Sequence, residues 1–241
     1  MDKSKFINFS PDYAIPPGET IIELLRQLGM TQAELSDRTG KHVKTINEII
    51  KGKQGITPET ALQFERVLGM RASFWNNLEK NYRESLAYIE ENKSLEDKLE
   101  WLNKIPVNSM IKNGWLKKYD DQVSSLKELL SFMGVASPKE LTTSCSEVIF
   151  RQSNKIKSDP WAVCAWLRKG ELDAQTIECN SYNKARFNNA LFEIRKMTLK
   201  KTPVILSAWQ KLCAECGVAL VIVQELPNLK VNGATRWLKD K

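Results

Sequence analysis

The stretch TQAELSDRTGKHVKTINEIIKGK, residues 31–53, constrains this chain more than any other. Thr31 stands where a helix N-cap belongs, and Glu34 three residues on completes a capping box. Ala33 and Leu35 begin that helix, which Gly40 ends after three turns at most. Beyond the turn Gly40-Lys41-His42, the residues Val43, Ile46, Ile49 and Ile50 recur at helical spacing, while Lys44, Asn47, Glu48 and Lys51 point elsewhere. Two short helices joined by a tight glycine-bearing turn make a helix-turn-helix.

The flanks complete a five-helix unit over residues 1–90. Pro16-Pro17-Gly18 stops whatever precedes it, and GETIIELLRQLG then sets Ile21, Leu24, Leu25 and Leu28 on one face before Gly29. Thr57-Pro58 opens a fourth helix through Ala61, Leu62 and Leu68. Ser73 caps a fifth that carries Phe74, Trp75, Leu78 and Tyr82. The same periodicity also suits a plain helical bundle with solvated charges.

If the unit meets DNA, the chemistry follows from groove geometry. The N-terminal residues of a recognition helix reach base edges in the major groove, where Lys donates to guanine and Asn pairs with adenine. Lys44, Thr45 and Asn47 hold those positions. Gln32, at the start of the second helix, can donate to a phosphate beside that helix's free amides. Lys41, Lys51 and Lys53 add sequence-blind attraction. With His42, Val43 and Glu48 these residues form the expected DNA-facing set.

Several chemistries are disfavoured. His42 is the only histidine, so an H-E-x-x-H zinc helix cannot form, and a nucleophile-histidine pair would have to recruit a residue in the turn. No G-x-x-x-x-G-K-[ST] cradle occurs. The expectation is a protein that is not an enzyme, with no cofactor and no metal. Cysteines at 145, 164, 179, 213 and 216 form an odd, irregular set, which predicts reduced thiols in a cytosol. Within CAEC, Cys213 and Cys216 read as two buried thiols on a helix ending at Gly217, with a redox dithiol as the alternative. The longest apolar run, VALVIV, is far short of the ~18 residues of a membrane helix, and no targeting segment is visible. A soluble, cytoplasmic protein is expected. Its net charge of +7 is unevenly spread: to Asn92 there are 12 Lys and Arg against 13 Asp and Glu, and thereafter 24 against 16.

After Arg83 the composition turns charged. Leu95, Leu99 and Leu102 mark one helix with Trp101 beside it, and Val123, Leu126, Leu129 and Leu130 mark another, with Pro106 and Pro138 as punctuation. This predicts a helical connector over 91–137. In the remainder, 138–241, WAVCAWLRKGELDAQ, KARFNNALFEIRKMT and LSAWQKLCAECG have helical spacing. Residues 218–224 read as a buried strand and 233–238 as a second. Such strands would leave an edge or apolar surface to be covered by a second protomer or a partner; the alternative is a closed helical domain with Trp237 in its own core.

The run from IPPGE through TPETAL to FWNNLEKNY closely resembles the HigA-type antitoxins, a branch of the Xre-like helix-turn-helix regulators, over about a quarter of the chain. The resemblance implies a homodimer that represses its own operon by binding double-stranded operator DNA, and that masks a RelE-like ribonuclease toxin in a HigBA-type module. CAWLRKGE, the helix F-x-x-A-L-x-x-I-R and NGATRWL resemble the opening half of the ImmA/IrrE-like zinc peptidase fold. In that family the zinc helix follows the GATRWL strand; this chain stops three residues after Leu238, and is expected to be no peptidase. The expected fold is therefore mainly α: a five-helix lambda-repressor-like domain, a helical connector, and a mainly helical C-terminal domain with a short β-hairpin or small sheet. A stress or phage regulator of the Xre class without a toxin, or an inactive half of a split peptidase, are the alternatives.

Overall fold

The computed structural model describes residues 13–150, 158–197, 202–231 and 233–238, which form twelve helices and, among those residues, no strand. The chain divides into two compact units, Met1–Ser94 and Leu95–Lys241.

The first unit holds α1 (Pro17–Gln27), α2 (Gln32–Thr39), α3 (Val43–Ile50), α4 (Pro58–Leu68) and most of α5 (Ala72–Glu96). α1 packs on α3, and α2 packs on both α3 and α4. Ile21, Leu25, Leu35, Ile46, Ile49, Phe64 and Trp75 form the centre of its core. Each such burial contributes about 1.5–3 kcal/mol. Trp75 meets Phe64 and Phe74 edge-on, each at 5.3 Å between ring centroids, and its indole N–H donates to the Met70 carbonyl at 3.2 Å. Leu28, Val43 and Leu62 share the spacing of the buried residues yet lie exposed. Leu28 is the C-cap of α1 and Val43 the first residue of α3, so no neighbouring turn covers them.

Two helix starts differ from the sequence expectation. Pro17 does not precede α1 but opens it, at the position where a missing N–H costs nothing. Gly18 then lies inside the helix, with its backbone against the last turn of α3: a Cβ there would drive into the Ile50 carbonyl. Ser73 is not the cap of α5, which begins at Ala72; the Glu65 carboxylate from the end of α4 accepts the Ala72 N–H instead.

The second unit is built from the end of α5 and from α6 (Trp101–Lys104), α7 (Val107–Lys112), α8 (Gln122–Met133), α9 (Pro138–Phe150), α10 (Pro160–Gln175), α11 (Lys184–Met197) and α12 (Thr202–Glu215). Leu126, Leu129, Leu130 and Met133 of α8 pack with Leu141 and Cys145 of α9 and with Ala162 and Ala165 of α10. Leu95, Ile105, Met110 and Leu116 join the same core, as do Leu226 and Leu229. Leu95 and Leu102 do not share one helix, since α5 ends at Glu96 and α6 starts after a turn.

The Asp121 carboxylate caps α8, accepting the Ser124 N–H at 2.7 Å. That hydrogen bond holds the carboxyl below its ordinary range. A depressed carboxylate contributes stability above its unfolded pKa and loses it as pH falls through the folded one. Asp121→Ala is expected to cost about 1 kcal/mol at neutral pH. The gap from the parent should close in acid, read by urea denaturation at a series of pH values; a gap independent of pH would contradict the role.

The expectation of reduced thiols fails for one pair. Cys145 and Cys164 form a disulfide between α9 and α10, with Cα atoms 5.8 Å apart and a sequence separation of 19. Helix packing, invisible in the spacing of the cysteines, brings them within bridging range. Closing a loop of that length contributes about 3 kcal/mol in the chain-entropy account. Reduction with dithiothreitol should therefore lower the denaturation midpoint of the second unit, and the double variant Cys145→Ser with Cys164→Ser should abolish that response. Cys213 and Cys216 are buried free thiols on and just after α12, and burial pushes the Cys213 thiol up.

Residues 218–224, expected as a strand, run without a ladder. Helix side chains take carbonyls that a partner strand would have taken: Gln210 donates to Leu220 at 3.2 Å, and the Trp166 indole to Val223 at 3.4 Å. Residues 233–238 form no strand either, and Trp237 is 78% exposed, not tucked into a core.

Candidate nucleic-acid interface

The turn between α2 and α3 is held by buried polar groups. The Ser36 hydroxyl donates to the Lys41 carbonyl at 2.5 Å and the Thr39 hydroxyl to the Leu35 carbonyl at 2.6 Å. Gly40 turns the chain at φ +66°, a left-handed conformation that a side chain would disfavour. His42 then serves as N-cap of α3, its Nδ1 accepting the Lys44 N–H at 3.4 Å. Upstream, the capping box is complete. The Glu34 N–H donates to the Thr31 hydroxyl at 3.1 Å, and the Glu34 carboxylate accepts the Thr31 N–H at 2.9 Å. These bonds hold the Glu34 carboxyl below its usual range.

α3 has two faces. Ile46, Ile49 and Ile50 are buried; Lys44, Asn47, Glu48 and Lys51 recur at i, i+3, i+4 and i+7 on the other side. Lys44 and Lys51 are exposed, and Thr45, Asn47 and Glu48 are half-buried. The Lys44 ammonium lies 3.9 Å from the Glu48 carboxylate, with its own side chain 80% exposed, a surface pair worth little in stability. Val43, 43% exposed, places a branched apolar group at the N-terminal end of this face.

The loop after α3 is pinned. The Glu48 carbonyl accepts the N–H groups of both Lys53 and Gln54, at 2.9 and 3.1 Å. Gly52 sits at φ +68°, and a Cβ there would collide with the Tyr82 hydroxyl and lie 3.2 Å from Pro16 Cβ. Lys51 and Lys53 thus flank a turn wedged between α5 and the start of α1, with both side chains exposed.

Gln32 is the first residue of α2, half-buried, and Lys41 is half-buried in the turn. Gln32 shares a shallow surface hollow with Thr31, Met30 and Arg26. Arg26, absent from the expected DNA-facing set, is a cation in the last turn of α1; its place there, five residues before the Thr31 cap of α2, was the available signal.

Residues 21–75 match the helix-turn-helix family model. Virulence-associated protein I of Dichelobacter nodosus is 36% identical over 70 residues, 29% of this chain and 65% of that protein. The chain thus spans about 65% of the length of that curated relative. Among solved structures, the Pseudomonas aeruginosa antitoxin HigA with higBA promoter is 29% identical, covering 35% of this chain and 94% of that one, with a TM-score of 0.33. An addiction module antidote protein of a HigA family from Coxiella burnetii is 28% identical over 35% and 92%, with a TM-score of 0.32.

Proposed function

We propose that the first unit is a sequence-specific reader of double-stranded operator DNA and that the protein is a transcriptional repressor, not an enzyme. The observation that carries this reading is the division of α3, whose isoleucines anchor one side while Lys44, Asn47, Glu48 and Lys51 line the other. Such a helix, held by a short rigid turn, has the shape and donors that the major groove accepts. Asn47 pairs with adenine and Lys44 donates to guanine. Val43 fits a thymine methyl group, and Thr45 completes the base-facing set. Glu48 orients Lys44 and can accept from cytosine. His42 fixes the start of the helix. Gln32, Lys41, Lys51 and Lys53 serve phosphates.

Because one helix-turn-helix covers a half-site, the reading includes a homodimer with half-sites roughly 34–36 Å apart. The resemblance set out from the sequence supports the finer reading, an antitoxin of a HigBA-type module that autoregulates its operon and neutralises a RelE-like ribonuclease. It likewise supports kinship of the second unit with the ImmA/IrrE-like fold, without peptidase activity.

Asn47→Ala should weaken operator binding by ~1–3 kcal/mol and relax specificity at one position, whereas Lys51→Ala should weaken all sequences alike and flatten the salt dependence. Footprinting and anisotropy titrations on the DNA upstream of the gene check both. An Asn47 variant with the parent's footprint and affinity defeats the reading. For the antitoxin reading, co-expression with the adjacent reading frame should relieve growth arrest; a neighbour with no toxicity leaves a regulator of DNA alone.

A further inference from the structure

Two exposed aromatic rings of the second unit, Tyr182 and Trp237, meet beside its most basic stretch of sequence. Trp237 is 78% exposed and makes a T-shaped approach to Tyr182, itself 44% exposed, at 5.1 Å between centroids and 90° between planes. Tyr182 touches Phe187, at the start of α11, at 6.4 Å. A T-shaped pair uses the face of one ring and the edge of the other, so open π-faces remain for a third ring. Further along α11, Phe192 is 62% exposed. Neither Trp237 nor Phe192 serves the core at such exposure.

Charge gathers in the same stretch of sequence. From 182 to 201 the sequence carries Lys184, Arg186, Arg195, Lys196, Lys200 and Lys201 against one carboxylate, Glu193; Lys200 and Lys201 lie outside the described residues. Glu193 is taken by Lys196 at 2.8 Å, while Lys184 and Arg186 have no ion-pair partner among the described residues. Arg236, next to Trp237, is 3.4 Å from Glu171, a carboxylate already shared with Arg168. The wider balance agrees: 13 Lys and Arg offset 13 Asp and Glu up to residue 94, and 23 stand against 16 from residue 95 onward. The whole excess of positive charge lies in the second unit.

We propose that the face formed by Tyr182, Trp237, Lys184 and Arg236 binds single-stranded nucleic acid, with the rings stacking on unpaired bases and the cations tracking the phosphates. Stacking platforms inside a positive field are the general means of holding an unpaired strand. A duplex keeps its bases stacked and would leave the rings unused. A lipid surface fits less well, because Phe187, Ala190 and Ile194, the apolar stripe of α11, are covered by packing that includes α12. Leu191 and Phe192 remain exposed, but they are two adjacent side chains beside exposed Asn188, Asn189 and Glu193, and do not make a continuous apolar face to enter a bilayer.

The test titrates the full chain with a fluorescent oligouridylate of about 12 nucleotides, within the span of single-strand sites. A duplex of equal length and phosphatidylserine vesicles serve as competitors. The parent should bind the oligouridylate and be displaced poorly by either competitor. Trp237→Ala should weaken binding by roughly 5- to 100-fold. The variant Lys184→Ala should lower the salt slope by about 0.7. Asn47→Ala in the first unit should leave oligouridylate binding unchanged, which separates this surface from the operator reader. Trp237→Phe keeps a stacking ring and should restore most of the affinity. Undiminished binding by Trp237→Ala, displacement by duplex as effective as by oligouridylate, or capture by vesicles in place of the oligonucleotide would each overturn the proposal.

Discussion

Replacing Gly18 by alanine is expected to destabilise the first unit by about 3 kcal/mol, near the upper end of overpacking costs. On helix propensity alone the sign would be opposite, since alanine is favoured over an interior glycine by about 1 kcal/mol. Geometry decides against propensity. The added methyl would have to occupy the space of the Ile50 carbonyl and its Cα, backbone atoms that no rotamer change can move. Relief requires α1 to lift from the end of α3, which also uncovers Ile21 and Ile49. Urea denaturation of parent and variant measures the difference. A variant as stable as the parent would mean that the helices part at no cost and that the close approach is incidental. Gly29→Asn provides a control: it sits at φ +60° with open space around it, and asparagine tolerates that conformation, so its effect should be small.

Trp75→Ala should cost about 3–5 kcal/mol, the range for removing a large buried aromatic. The side chain is fully buried, and it joins α5 to α4 through Phe64. Its loss leaves the Met70 carbonyl without its indole donor and removes the ring against which Phe64 and Phe74 pack. Against a typical total of 5–15 kcal/mol for a domain, the variant should be largely unfolded at modest temperature. Operator binding should fall with it, although Trp75 faces no groove. Near-ultraviolet circular dichroism against temperature reads the loss. Trp75→Phe should recover part of the stability; a variant that melts with the parent would place the core elsewhere.

The sequence was most legible where structure depends on neighbours in the chain. The Thr31–Glu34 capping box, the glycine after α2 and the isoleucine stripe of α3 obey local rules, and the structure forms each of them. What escaped depends on residues far apart. Val43 has the spacing of a core residue, but its exposure is set by its place at the very start of α3. Gly18 reads in sequence as part of the Pro16-Pro17-Gly18 stop, and only the three-dimensional approach of Ile50 shows why a side chain is excluded. Residues 218–224 have the composition of a buried strand; Gln210 and Trp166 satisfy carbonyls there that a neighbouring strand would otherwise have paired. The Cys145–Cys164 bridge needed the packing of α9 on α10. For the candidate interface, the outward face of α3 could be read from periodicity, while the wedging of Gly52 between Tyr82 and Pro16, which fixes Lys51 and Lys53, could not.

The packing of α1, α2, α3 and α4 against one another joins segments only a few tens of residues apart. Short loops close cheaply, and helical units of this kind fold in microseconds to milliseconds. Synthesis proceeds at about 5–20 residues per second, so translating residues 95–241 takes on the order of ten seconds. During most of that interval the helix-turn-helix is already a finished object outside the ribosome. The second unit, whose disulfide and long-range side-chain bonds await the last hundred residues or so, is still an unfinished chain. Birth order separates the two units in time, and a nascent polypeptide already carries a folded N-terminal unit before the core of its basic second half is complete.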